Sequence, residues 1–149
     1  LGSSSVGKVH IHHAGVYCHD SALPWKNRAE NPGQAKLKRT KDDSTKDLPL
    51  IPVYSIDSFA RERGWFTERK RISILKVDVE GLEAMVFEGA TELISFGLVD
   101  NIFMEIAVRK PVQKRRNQPM LDLFIKSGYH LYRHGESKRP TTLSATVFD

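Results

Sequence analysis

Within six residues, the end of the stretch Ile72-Ser-Ile-Leu-Lys-Val-Asp-Val-Glu-Gly-Leu-Glu83 releases three carboxylates, Asp78, Glu80 and Glu83, around Gly81. The run before them is apolar enough for a buried strand. A fourth acid, Glu105, ends the next such run, Val99-Asp-Asn-Ile-Phe-Met-Glu-Ile. Carboxylates at neighbouring strand ends can hold a cation, orient a substrate hydroxyl or meet a cationic group on a ligand. Partial withdrawal from water also raises a carboxylate's pKa toward neutrality, where it works as a base for a hydroxyl or amine. A plainer reading is open for three of the four. Glu80 and Glu83 can cap a positive helix end, Asp78 can accept turn amides, and Gly81 can fit a tight bend. That reading does not cover Glu105.

The elements that must position these acids follow from hydrophobic period and turn residues. Val9 to Cys18 alternates loosely and supplies one or two short strands. Residues 21–50, rich in Pro, Asn, Lys and Asp, carry no sustained period and read as a long loop or small insertion with room for a hairpin. Ile51 to Ile56 is a strand, and Ser55 or Asp57 caps a short helix that Gly64 ends. Ile72 to Val77 has apolar residues on both faces, which predicts a central strand covered by helices on each side. Leu82, Met85, Val86, Ala90, Leu93 and Ile94 recur near helical spacing, with Gly89 dividing the run into two pieces. Pro119 is expected to open a helix that Gly128 stops. Tyr129 to Arg133 and Thr141 to Phe148 read as the last strands.

Strand and helix thus alternate through 51–149, which predicts an α/β sheet, largely parallel, with an antiparallel last strand where no helix intervenes. Ligands of such sheets sit beyond the carboxyl ends of the strands, the edge that collects Asp78, Glu80 and Glu105. The run from Arg109 to Arg116, with Asn117 and Gln118, follows Glu105 on that side. It reads either as ligand-binding or as a solvated loop.

The chain of 149 residues carries a formal net charge of +5. Its Lys and Arg gather at Lys36 to Lys46 and Arg109 to Arg116 without interleaved aromatics, so the charge alone does not define a nucleic-acid surface. Cys18 is the lone cysteine, which excludes an intrachain disulfide and a cysteine-based zinc site. His10, His12 and His13 suggest metal, but only His10 and His12 share a strand face and no further ligand stands at a recognisable spacing. A divalent ion between Asp78 and Glu105 suits hard oxygen ligands better. Trp65 is expected to cover the sheet rather than stack a ligand. No apolar run is long enough to cross a bilayer, so a soluble domain, cytoplasmic by default, is expected.

The stretch Ile74 to Glu83, followed by Val86-Phe-Glu-Gly-Ala90, closely resembles the core signature of the FkbM family of S-adenosylmethionine-dependent methyltransferases. Val53-Tyr-Ser-Ile-Asp-Ser-Phe59 is similar to the family's preceding segment, Ile102-Phe-Met-Glu105 to its following strand, and Pro119 to Tyr132 to the next helix and strand, so the resemblance covers roughly 51 to 132. It implies a doubly wound, Rossmann-like methyltransferase fold that methylates a hydroxyl of a sugar or another small molecule. On that basis Asp78, Glu80 and Glu105 are the expected catalytic acids. Asp78 and Asp20 would lie toward the cofactor, and Glu83, Arg109 and Asn117 toward the acceptor. One departure stands out. The family's glycine-rich loop after a first strand has no counterpart here, because Leu1-Gly-Ser-Ser-Ser-Val-Gly has no strand before it. The expectation is one incomplete domain over 1–149, a fragment lacking its first strands, whose exposed sheet edge invites self-association. The alternative is a non-catalytic methyltransferase-like interaction module.

Overall fold

The computed structural model describes residues 7–26, 36–37, 46–79, 81–106, 111–133 and 144–148. Among these described residues, eight strands and four helices are assigned: β1 (Gly15–Val16), β2 (Ser21–Lys26), β3 (Lys36–Leu37), β4 (Leu50–Tyr54), α1 (Ile56–Glu62), β5 (Ile72–Val77), α2 (Glu83–Glu88), α3 (Thr91–Ser95), β6 (Val99–Glu105), α4 (Pro111–Lys126), β7 (His130–Arg133) and β8 (Ser144–Phe148). The chain divides into two compact units, Leu1–Gly15 with Ala22–Pro52, and Val16–Ser21 with Val53–Asp149.

The first unit contains the hairpin that the 21–50 segment left room for. β2 and β3 pair antiparallel, with Trp25 opposite Leu37 and Lys26 opposite Lys36, in a small sheet of order β1-β4-β2-β3. Leu23, Pro24 and Ile51 are buried, and the Trp25 amide donates to Pro49 O at 2.9 Å. His13 meets the Trp25 ring edge-on at 6.3 Å. His10, His12 and His13 are all exposed, and among the described residues no three His, Cys, Asp or Glu gather as a metal site.

In the second unit the sheet order is β5-β6-β8-β7, and every pairing in it is parallel. This corrects the expected antiparallel last strand. The expectation took the lack of an intervening helix to mean a direct reversal, but ten residues, 134–143, join β7 to β8. A connection of that length reaches up to about 33 Å, enough to return past the about 13 Å of a four-residue strand and start β8 in the same direction. β8 then lies between β6 and β7.

Among the described residues β5 packs one face from Leu75 on, while Ile72 at its start also touches the core. Leu75 and Val77, with Ile102 and Met104 of β6, join the core made with Val86 and Phe87 of α2, Leu93 and Ile94 of α3, and Met120 and Phe124 of α4. By strand alternation Ile74, Lys76 and Asp78 point the other way. All three are exposed, Ile74 by 63 %. Among the described residues, the expected burial on both faces is therefore replaced by one packed face and one that is exposed from Ile74 onward. A strand's apolar content cannot say which sides find neighbours.

The helices show the local rules at work. Ser55 caps α1, its Oγ accepting from the Ser58 amide at 3.1 Å. Asp57, the other capping candidate, serves a different helix: its carboxylate accepts from the amides of Glu92 and Leu93, both at 2.9 Å, in the first turn of α3. α2 and α3 are separated at Gly89 and Ala90, where the sequence placed the break. α4 begins at Pro111, eight residues before the predicted start, and Pro119 lies inside it. The first two turns are polar and mostly exposed, so they carry no apolar stripe to announce them. Pro111 itself fits the first helical position, where its missing N–H costs no bond. Trp65 packs edge-on against Phe59 at 5.7 Å, in keeping with its expected covering role.

Tyr129 ties the end of α4 to the sheet: it is buried, and its hydroxyl donates to Val99 O at 2.7 Å. Burial pushes its pKa up from 10.0 to about 12. A raised folded-state pKa means that this stabilisation is fully present below the unfolded value and is lost as pH rises through about 12. Tyr129→Phe, which strands the Val99 carbonyl, is expected to cost about 1–2 kcal/mol at neutral pH in urea unfolding. The difference should shrink above pH 10.0. Equal midpoints at neutral pH would contradict it.

Candidate functional site

β5 and β6 run parallel in a constant register, Lys76 level with Phe103 and Val77 with Met104. The residue after each of these is an acid, so Asp78, just past the end of β5, and Glu105, the last residue of β6, lie at adjoining strand ends. Glu105 also pairs with Phe148 of β8. Because all four strands are parallel, their carboxyl ends share one edge, and Arg133, the last residue of β7, closes that edge at the level of Val147.

Asp78 is half-exposed, and its Oδ2 lies 3.2 Å from Lys76 Nζ. The two are separated by one residue on the open strand face, which brings their heads together. An exposed pair of this kind contributes little stability. Its effect is on position, since the ammonium holds one carboxylate oxygen on the open side. Glu105 is exposed as well.

The turn after Asp78 is held from within α2. Gly81 has φ +89, a conformation that favours glycine, and its amide donates to Glu83 Oε1 at 2.9 Å. Glu83 is only 3 % exposed. It therefore anchors the turn, in line with the plainer reading of this acid, and does not line an open rim. Glu80 and Arg109 lie outside the described residues. Asn117, expected on a loop, is buried within α4. A groove of about 680 Å³ runs along the same helix, lined by Arg115, Gln118, Pro119, Asp122, Leu123 and Lys126, and contains none of the candidate acids.

Asp20 engages the start of α1. Its Oδ1 accepts from the Ser55 amide at 2.7 Å, and this bond holds its carboxyl below the usual 3.8. A lowered folded-state pKa gives stabilisation that is present above the unfolded value and lost as pH falls through the folded one. The expected result in a carboxyl-carbon NMR titration is an Asp20 midpoint below 3.8. A midpoint at or above that value would remove the bond from solution.

A mostly parallel sheet with acids at its carboxyl edge is the arrangement of α/β domains that handle small ligands there. Within that class, the family model for the methyltransferase FkbM domain matches residues 3–131, and the chain belongs to that family. No curated protein and no solved structure matches it. The match starts well upstream of residue 51, where the resemblance in sequence began. Among the described residues no helix is long and apolar enough to cross a membrane.

Proposed function

We propose that this domain takes part in S-adenosylmethionine-dependent transfer of a methyl group to a hydroxyl of a sugar or another small molecule. What supports the reading is that Asp78 and Glu105 follow the last paired residues of two parallel neighbouring strands, in a member of the FkbM family. Two acids on a solvent-facing edge suit a cationic sulfonium. When bound, the cofactor supplies the electrophilic methyl group. Asp78 is the residue we assign to its sulfonium side, and Asp20, whose Oδ1 is already engaged by Ser55, is assigned there second.

The chain's own residues orient and hold a proton. Glu105, level with Asp78, accepts the hydrogen bond of the acceptor hydroxyl, and either it or Glu80 receives the proton when the oxygen becomes an ether. Lys76 keeps the Asp78 carboxylate turned to the open side. Glu83 fixes the turn between Asp78 and α2 by holding the Gly81 amide. In a displacement of this kind the protein contributes mainly alignment, and small displacements of the aligning groups are costly in rate. Arg109 is assigned to acceptor recognition on the strength of its place in the chain after Glu105, whereas Asn117, buried within α4, is withdrawn from that role.

The test is calorimetric titration with S-adenosylhomocysteine of this chain and of a version extended upstream by the family's glycine-rich strand-to-helix segment. Binding is expected for the extended chain, with little or none for the shorter one. Asp78→Asn in the extended chain should weaken binding about tenfold or more, the loss of one charge-assisted contact. Two folded chains that both fail to bind would overturn the reading. The open face of β5 would then favour the second one, a methyltransferase-like interaction module without catalysis.

A further inference from the structure

α4 runs from the carboxyl edge of the sheet toward the amino edge, because it joins the end of β6 to the start of β7 and both strands lie parallel to β8. Asn117, Met120 and Phe124 are buried, so they mark the side of α4 that meets the core. The groove of about 680 Å³ lies on the other side, where Arg115, Gln118, Pro119, Asp122, Leu123 and Lys126 recur at helical spacing.

Helix stability does not account for the charges here. Lys114, Arg115 and Arg116 are consecutive and exposed in the first two turns, and no acid stands between Ile106 and Leu121. Positive charge near a helix start opposes the backbone dipole, so these residues weaken the helix that carries them. Among the described residues no ion pair joins any of the three to a carboxylate. Arg115 and Lys126 stand at the two ends of the groove, about 16 Å apart by helical rise. Between them the Gln118 side-chain amide donates to Asp122 Oδ1 at 2.8 Å. That bond holds both groups in place and leaves Asp122 Oδ2 and the Gln118 carbonyl oxygen as acceptors beside the apolar Pro119 and Leu123.

Two cations with an acid between them select the occupant. A nucleic-acid strand carries a charge on every unit and would set phosphates against Asp122; among the described residues the groove also holds no aromatic ring on which bases could stack. A neutral sugar leaves both cations without a partner. An oligosaccharide whose acidic units flank a neutral one satisfies the whole groove. Its carboxylates reach Arg115 and Lys126, its hydroxyls donate to Asp122 and Gln118, and its carbon-bound face lies on Pro119 and Leu123.

We propose that the groove of α4 binds an acidic oligosaccharide of this kind, and that this ligand is the acceptor of the methyl transfer, lying along α4 with one end at the carboxyl edge of the sheet. The acceptor role rests on the methyl-transfer reading, whereas the binding does not.

The experiment titrates the isotope-labelled chain with a hexasaccharide of alternating glucuronate and N-acetylglucosamine, with the N-acetylglucosamine hexamer and with a single-stranded oligothymidylate, and follows amide shifts by NMR. The acidic hexasaccharide is expected to shift amides of residues 115–126 with a Kd below roughly 1 mM, and the neutral hexamer to bind at least about tenfold more weakly. Arg115→Gln and Lys126→Gln should each weaken binding about tenfold. Arg116→Gln, exposed but outside the groove, should leave it unchanged. Circular dichroism checks that each variant is folded. No shift at roughly 5 mM saccharide would overturn the proposal. So would equal affinity for the neutral hexamer, tighter binding of the oligothymidylate, or equal losses at Arg115 and Arg116. Binding of S-adenosylhomocysteine by the upstream-extended chain without saccharide binding would sink this proposal alone. Saccharide binding by an extended chain that does not take up S-adenosylhomocysteine would keep the groove site and sink the acceptor role together with methyl transfer.

Discussion

Phe124→Ala is expected to lower the unfolding free energy by about 3–5 kcal/mol, the range for deleting a fully buried aromatic ring. Phe124 has no exposed surface, meets the Phe87 ring edge-on at 4.9 Å and leans on Tyr129 at 5.8 Å. It is the point where α4 is fastened to α2, so alanine removes both apolar burial and the ring-on-ring contacts. A loss of this size is a large share of the about 5–15 kcal/mol that holds an ordinary domain together. Urea unfolding followed by fluorescence and by circular dichroism is the measurement. Ile125→Ala is the control one residue along, because Ile125 is 59 % exposed and its truncation should fall within about 0.5 kcal/mol of wild type. Equal losses at the two positions would mean that α4 does not present this face to the core.

Gly89→Ala is expected to cost about 1–3 kcal/mol, although the backbone there is one any residue can adopt. Its φ is −81, so the constraint is space and not conformation. A Cβ at this position would lie 2.5 Å from Tyr17 O, 2.9 Å from Cys18 Cα and 3.0 Å from Ser55 Cβ, and the first two are backbone atoms that cannot swing aside. The Gly89 carbonyl also accepts the Asp57 amide at 2.8 Å, so displacing Gly89 strains the start of α1. Were the space open, the same change would stabilise by about 0.4–1 kcal/mol through the unfolded chain, so the sign of the effect decides the matter. Cys18, the one cysteine, gives a second readout. If alanine pushes residues 17 and 18 outward, thiol labelling of Cys18 should accelerate in Gly89→Ala and not in Gly7→Ala, where an added Cβ meets nothing within 4 Å. Unchanged labelling with unchanged stability would show that the close approach does not persist in solution.

Much of the local structure was legible in advance because its causes are local. The apolar run at 72–77 ends where the acids begin. Gly89 interrupts a helical period, Ser55 precedes α1, and each feature stands where propensity and turn chemistry put it. A strand, a helical segment and a strand in succession imply parallel neighbours, and β5 and β6 do pair parallel as far as Val77 and Met104. The first turns of α4 were not legible. A polar segment has no period, and its helix is set by Pro111 at the start and by the apolar residues that follow.

The sequence alone therefore determined the class of domain, the order of strands and helices through 51–133, the acids at the carboxyl edge and the family. All of these rest on residue type and short spacing. Tertiary structure alone decided that β8 runs parallel between β6 and β7, that Ile74, Lys76 and Asp78 are exposed, and that Glu83 turns inward to hold Gly81 while Asp57 reaches across to cap α3. Each of these depends on which distant segment occupies a given side of a strand or helix. No local period encodes that, because the same side chain is stable facing water, a helix or another strand according to the neighbour the whole chain brings to it.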